Sequence, residues 1–225
     1  MKPARPTTSD ATALFQHAAQ IGSACSSPKR LQLLMLLSQA PKTVGQLAAQ
    51  VGQSVAAASA HLQALKRGCL VSAHREGQQI RYELASPEVY TLLSALLATG
   101  VTLLPAAEQL ADNHLRNTDS VSATPMSQIH DDITHDRVTV LDLRPADEFA
   151  AGHLPKARNI PHRELNNRLE EVPQRRRVVA YCRGPFCLSG IDAVNAARNT
   201  GHNIKRLPFG VNEWRDAGLP LETND

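Results

Sequence analysis

Apolar residues recur along the first hundred or so positions at helical spacing, broken at intervals by residues that start or stop a helix. The stretch from Ala11 to Ala24 reads as a helix. Ser27-Pro28 then supplies an N-cap and a first-turn proline to a second helix carrying Leu31, Leu33, Leu34, Leu36 and Leu37. Thr43-Val44-Gly45-Gln46 fits a capping box ahead of Leu47 and Val51, and Gly52 ends that short helix. Ser54 can cap the next one, which runs through Leu65 and Arg67 with Ala58, Leu62 and Leu65 on one face. Leu70-Val71 and Ile80–Leu84 flank the polar turn Glu76-Gly77-Gln78, so the predicted order is helix, turn, helix, hairpin. Ser86-Pro87 opens a further helix bearing Tyr90, Leu92, Leu93, Leu96, Leu97 and Val101. That apolar surface is wide for one helix of a small domain and suggests a second subunit, and Pro105 should kink or end the helix.

The pattern changes after the small, polar stretch Arg116–Pro125, which reads as a linker. Beyond it, Val138–Leu141 and Val178–Tyr181 are short apolar runs rich in β-branched residues, separated by helical stretches near Ala146–Ala151 and Arg163–Glu171. A helix over about Ser189–Asn199 and a strand at Ile204–Leu207 follow. This alternation predicts a parallel sheet covered by helices. The expected organisation is two domains: residues 1–115, mainly α with a hairpin wing, and residues 126–225, a three-layer α/β unit, joined by a linker over 116–125.

Composition fits this division. A chain of 225 residues can bury two small cores. No apolar run approaches the roughly 18 residues a membrane helix needs, and the start is polar with two prolines. A soluble, cytoplasmic protein with no membrane partner is expected. Four cysteines, Cys25, Cys69, Cys182 and Cys187, are too few and too scattered for a secreted disulfide framework and read as reduced thiols.

The net charge is only +3, but no acidic residue stands between Asp10 and Glu76, while Lys29, Arg30, Lys42, Lys66, Arg67 and Arg75 do. A surface that keeps cations and drops carboxylates attracts polyanions, nucleic acid above all. From Asp119 onward 14 bases face 15 acids, so the second half carries no such field.

The run Val51-Gly52-Gln53-Ser54 through Ala60-His61-Leu62-Gln63-Ala64-Leu65-Lys66-Arg67-Gly68-Cys69-Leu70-Val71 resembles the recognition-helix region of ArsR-type bacterial repressors, with the likeness extending from about Ala18 to Leu84. The resemblance implies a winged helix-turn-helix homodimer on double-stranded operator DNA at a palindromic site. Gln53, Ser54, Ser59, His61 and Gln63 are candidate groove contacts, and Lys66, Arg67, Arg75 and Arg81 candidate phosphate contacts. His61 reads equally as a packed structural residue. Many relatives sense metals, but the cysteine pair of arsenic sensors would fall around Thr43–Gly45 and is absent there. Asp112-Asn113-His114 also lacks the second histidine of zinc sensors, so no metal and no cofactor is expected. Cys25 and Cys69 read either as packing residues or as a thiol pair that receives sulfur or oxidises. Cys69 stands where these relatives often have glycine.

In the second half, Asp142-Leu143-Arg144-Pro145, Glu148-Phe149-Ala150-Ala151-Gly152-His153-Leu154-Pro155 and Asn159-Ile160-Pro161 resemble the N-terminal signature of rhodanese domains. Gly210-Val211-Asn212-Glu213-Trp214 and Gly218-Leu219-Pro220 resemble the C-terminal one. Between them, at the end of an apolar strand, stands Tyr181-Cys182-Arg183-Gly184-Pro185-Phe186-Cys187, where rhodaneses keep their active-site loop. The resemblance implies that Cys182 takes sulfur from a small sulfur-containing anion or persulfide donor and holds it as a persulfide. Amides of the turn and the dipole of the following helix should favour the Cys182 thiolate, with Arg183 as a nearby cation that gates or anchors an anion. Arg183, Gly184, Pro185, Phe186, Cys187 and Leu188 would line the substrate, while Asp142 and Arg144 brace the loop and His153 is structural. A phosphatase would need an arginine six positions after the cysteine, and Leu188 stands there. Cys187 reads either as a thiol that resolves the persulfide or as an unreactive loop residue.

The whole chain resembles bacterial fusions of an ArsR-like domain to a rhodanese. The expected function is a transcriptional regulator, by resemblance a repressor, whose rhodanese domain senses or transfers sulfane sulfur. Two alternatives stay open at this point. One is a sulfurtransferase that uses the first domain for dimerisation or location, and the other is a silent rhodanese that only binds a ligand.

Overall fold

In a computed structural model of the chain, residues 8–116 and 124–224 are described. They fall into two compact units, Met1–Ala95 and Leu96–Asp225, each taken by itself. Of the expected linker, 117–123 lie outside the described residues.

The first unit begins with α1 (Thr8–Cys25) and α2 (Pro28–Leu37), the latter started by Pro28 in its first turn with no side-chain bond from Ser27. The short strand β1 (Lys42–Thr43) leads into α3 (Val44–Val51). Here the Thr43 hydroxyl accepts from the Gln46 amide while the Gln46 side chain accepts from the Thr43 amide, closing a capping box. Ser54 caps α4 (Val55–Arg67) by accepting from the Ala57 amide at 3.2 Å. Ala58, Leu62 and Leu65 are fully buried, with Leu33, Leu34 and Leu47 in the same core. The wing is a hairpin of β2 (Val71–Glu76) and β3 (Gln79–Leu84), with β1 antiparallel on the other side of β3.

The end of α4 shows what Cys69 does to the backbone. The Leu70 amide donates to the Leu65 carbonyl and the Cys69 amide to the Lys66 carbonyl, the paired bonds of a Schellman ending with Cys69 at its left-handed position, φ 57°. A side chain there crowds its own backbone at a cost of about 1–2 kcal/mol that glycine escapes. Gly68, one position earlier, serves another need: a Cβ on it would stand 2.5 Å from Ala24 Cβ of α1. The helix therefore closes as glycine-ended ones do, under strain.

Beyond the wing, α5 (Glu88–Leu103) is interrupted at Leu104, and Pro105 starts α6 (Pro105–Ala111), followed by a π-helical turn over Asp112–Arg116. No single helix among the described residues is long and apolar enough to cross a membrane.

The second unit places four parallel strands among the described residues in the order β5 (Arg158–Asn159), β4 (Thr139–Asp142), β6 (Val178–Tyr181), β7 (Ile204–Arg206). Alternate residues of each strand face opposite ways, and each face has its own core. Val140, Val179 and Tyr181 pack with Ile129 and Ile133 of α7 (Met126–Thr134) and Trp214 of α10 (Val211–Asp216). Leu141, Val178, Ala180 and Cys182 pack with Ala193, Val194 and Ala197 of α9 (Leu188–Asn199). Three layers result, with α8 (Ala146–Ala151) following β4. The helix expected over Arg163–Glu171 is instead two 3-10 turns, Leu165–Asn167 and Leu169–Glu171. Its only fully buried residue is Leu165, with Leu169 partly buried against the same core, and so little burial does not hold a continuous helix against the sheet.

Replacing Cys69 with glycine should relieve the left-handed strain and stabilise the first unit by about 1 kcal/mol. Urea unfolding followed by the helical circular dichroism signal checks this, and a destabilised variant would mean that the Cys69 side chain is held by a favourable contact.

Candidate functional site

Two arrangements carry chemistry, one in each unit. On α4, Ala56, Ala60, Gln63 and Arg67 point away from the buried stripe, with Ser59 and Lys66 along one edge. Ser54 and Gln53 sit at the start of that helix, Gln53 half-buried with its amide nitrogen on the Gly52 carbonyl. His61 lies on the other flank, half-buried beside Leu65 and Ala58, and the helix does not bring it onto the same face as Gln63.

Of the cations in the acid-free window, Lys42 is fully buried, Lys29 donates to the Val51 carbonyl at 2.7 Å and Arg30 to the Ala24 carbonyl at 2.5 Å. These three tie the fold together, which leaves Lys66, Arg67 and Arg75 exposed. Arg75 donates to the Gly77 carbonyl at the wing tip, and Arg81 is paired with Glu76. Cys25 is buried, and burial pushes its thiol above the ordinary value against a smaller pull from Arg30, whereas Cys69 is exposed.

In the second unit a buried polar brace precedes the cysteine loop. Asp142 and Arg144, both fully buried, form an ion pair with Nη2 to Oδ2 at 2.6 Å, and the same Nη2 donates to the Gly152 carbonyl at 2.6 Å. The Tyr181 hydroxyl donates to Asp142 Oδ2 at 2.5 Å and accepts from the Leu154 amide at 3.1 Å. Burial, and then the Asp142 carboxylate, hold the Tyr181 phenol well above its ordinary pKa, so it remains a donor. The brace therefore fixes the residue immediately before Cys182.

The loop itself closes tightly. Cys187 is the N-cap residue of α9, and its Sγ lies 2.8 Å from Cys182 Sγ. Gly190, in the first turn of that helix, leaves room for both sulfurs. A Cβ on it would stand 2.7 Å from Cys182 Cβ and 3.5 and 3.8 Å from the two Sγ atoms. Gly210 backs the loop from the other side, where a Cβ would lie 2.5 Å from the Cys182 carbonyl and 2.8 Å from the Gly184 amide. Arg206, buried at the end of β7, donates to the Pro185 carbonyl at 2.8 Å and the Gly184 carbonyl at 3.3 Å, holding the loop from below. Pro185 and Phe186 are half-buried, and Leu188 is exposed at the rim.

Two sequence expectations change here. The Arg183 guanidinium is held by a carboxylate: its Nε and Nη2 donate at 2.8 and 2.7 Å to the two oxygens of the fully buried Glu148. Nor do the surroundings favour the Cys182 thiolate. The hydrogen bond with Cys187, followed by burial, pushes the Cys182 thiol well above its ordinary value, with Arg183 only partly opposing. Cys187 is drawn down to about 6, first by the hydrogen bond from Cys182, against burial, and further by the amides of Arg183 and Gly190. Either sulfur could donate across the 2.8 Å contact. The Arg183 amide serves both sulfurs, so the Gly190 amide and the start of α9 tip the balance toward a Cys187 thiolate that accepts from the Cys182 thiol.

Sequence reasoning missed Glu148, Arg206 and Gly190 as parts of the site. Arg206 had a signal, since in a buried parallel strand it shares a face with Ile204 and so points inward. Among the described residues, no three His, Cys, Asp or Glu side chains are placed to hold a metal ion.

Residues 126–217 match the rhodanese-like domain, and residues 27–72 match the arsR family of bacterial regulatory proteins. The chain is 39% identical over 219 residues to the HTH-type transcriptional regulator Rv0324 of Mycobacterium tuberculosis, covering 93% of this chain and 92% of that one. It is 43% identical over 79 residues to the nodulation protein NolR of Rhizobium meliloti, covering 35% of this chain and 65% of the relative. Among solved structures, the homodimeric winged helix-turn-helix DNA-binding domain of Mb0332 from Mycobacterium bovis is 36% identical over 46% of this chain and 95% of that one, with a TM-score of 0.42.

Two outcomes follow from the loop. Gly190→Ala should force Cys182 and α9 apart and destabilise the second unit by about 1–3 kcal/mol, read from urea unfolding through the fluorescence of Trp214, the chain's single tryptophan. No change would mean the loop yields freely. For pH, a thiolate whose pKa falls from the ordinary 9.0 to about 6 on folding adds stability as pH rises between these values and loses it as pH falls through about 6. The reduced wild type should therefore gain stability over that range relative to Cys187→Ser, and parallel curves would remove the charge from Cys187.

Proposed function

The chain is a transcriptional regulator of the ArsR family that carries a C-terminal rhodanese-like domain, and from that premise we propose that it binds operator DNA as a homodimer and responds to sulfane sulfur taken up at Cys182. The observation that carries this reading is the loop between β6 and α9, in which Cys182 can pass its proton across 2.8 Å to Cys187. The sulfur so freed attacks the outer sulfur of a donor such as thiosulfate or a persulfide, and the rest of the donor leaves as sulfite or a thiolate. Loop amides offer the persulfide anion its hydrogen bonds.

In the first unit, Ser59 and Gln63, with Gln53 and Ser54 at the helix start, face base edges, while Lys66, Arg67 and Arg75 hold phosphates. His61 and the Glu76-paired Arg81 contribute less. Exposed Leu14 and Phe15 on α1 and Leu92 and Leu96 on α5 provide apolar surface for a second copy. The functional division is 1–115 for DNA and dimerisation and 126–225 for sulfur, joined through 116–125.

The test uses the full chain and a duplex selected from a randomised pool. Polysulfide treatment should change the affinity of the wild type for that duplex at least several-fold and leave Cys182→Ser unchanged. Equal affinities in all four conditions would overturn sensing through Cys182.

A further inference from the structure

Sulfur uptake at Cys182 leaves the second sulfur of the loop without a task, although its surroundings fit it for one. Cys187 Sγ stands 2.8 Å from Cys182 Sγ, against about 2.05 Å in a disulfide. Gly190 keeps the space between β6 and α9 clear for both sulfurs, and Arg206 pins the carbonyls of Gly184 and Pro185 so that the loop holds its fold. Cys187 is half-buried and Cys182 buried, so the pair meets inside the loop rather than at its mouth. The contact is with the sulfur bonded to carbon, the inner sulfur of any persulfide formed there, and not with the outer one, which must extend away from Cys182.

We propose that Cys187 is a resolving thiol, which attacks the inner sulfur of a Cys182 persulfide, forms the Cys182–Cys187 disulfide and expels the outer sulfur as hydrosulfide. The inference rests on Cys182 as the sulfur carrier. In the step, Cys187 supplies the electron pair for the new S–S bond, the old S–S bond breaks and its pair leaves on the outer sulfur, and the proton that Cys187 took from Cys182 goes with that sulfur as it departs as hydrosulfide. The sulfane sulfur is reduced to the sulfide level, and the two cysteine sulfurs are oxidised to the disulfide. A small thiol reductant in excess then restores the dithiol by two exchanges, taking up the oxidising equivalents as its own disulfide. The domain so described is a sulfane-sulfur reductase that stores its turnover as a loop disulfide. It does not need an external acceptor for the sulfur atom.

The experiment treats the reduced, full-length wild type, Cys187→Ser and Cys187→Ala with one equivalent of inorganic polysulfide without oxygen. Samples are then alkylated, the four cysteine sites are mapped by mass, and free sulfide is measured. The wild type should lose two hydrogens as a Cys182–Cys187 disulfide and release sulfide in step with it. Both variants should instead accumulate a sulfur atom on Cys182. If the wild type stops at a Cys182 persulfide with Cys187 still alkylated as a free thiol, the resolving step is overturned while sulfur uptake at Cys182 stands. If no protein gains sulfur at Cys182, or if it gathers on Cys187 in Cys182→Ser instead, the underlying reading fails and the resolving role goes with it. Persulfide build-up in the Cys187 variants, with the intact fold confirmed by Trp214 fluorescence, separates resolution from a merely structural role for Cys187.

Discussion

The 2.8 Å approach of the Cys182 and Cys187 sulfurs is the constraint on which the proposed sulfur chemistry depends. Two thiolates at that separation repel each other strongly, and two thiols would waste the amides directed at them. The pair therefore settles on one charge and one proton. The surroundings favour the charge on Cys187, where the Gly190 amide meets the start of α9, and the proton on the more deeply buried Cys182. The loop can hold this state only because its surroundings are rigid. Asp142, Arg144 and Tyr181 lock the end of β6, and Glu148 fixes Arg183 in a bidentate pair. Breaking a buried pair of this kind costs several kcal/mol, so the brace resists rearrangement.

The first unit follows a different logic, in which cations are divided between structure and surface. Lys29, Arg30 and Lys42 are drawn into the fold, so the positive face is narrower than the sequence window suggests. What remains outward lies on α4 and the wing, where Lys66, Arg67 and Arg75 flank the polar face of Ser59 and Gln63. A surface of this kind suits phosphate contacts better than direct reading of many bases, and in the proposed function it leaves much of the specificity to DNA shape.

Much of the fold was legible because its signals are local. The capping box of Thr43 and Gln46, the Ser54 cap and the break at Pro105 each involve residues within four positions of one another. The apolar runs of β4 and β6 and the place of Cys182 at the end of the latter were equally plain. Strands β1 and β5 were not, since two residues carry no period. The stretch Arg163–Glu171 reads as one helix, but Leu165 is fully buried and Leu169 only partly so against the same core, and the segment breaks into two short turns. In the site, Glu148 lies 35 positions from Arg183 and Arg206 lies 21 from Pro185, separations that only the folded chain closes. The charge placement differs for the same reason: a turn and a helix dipole argue for a thiolate somewhere in the loop, and the Gly190 amide at the start of α9 favours Cys187 over Cys182.

That placement is open to direct observation. Cysteine labelled with carbon-13 at Cβ reports each thiol's ionisation separately by nuclear magnetic resonance as pH is raised under reducing conditions. The Cys187 signal should move near pH 6, and the Cys182 signal should stay in place until well above 9. A Cys182 signal that moves first would contradict the account.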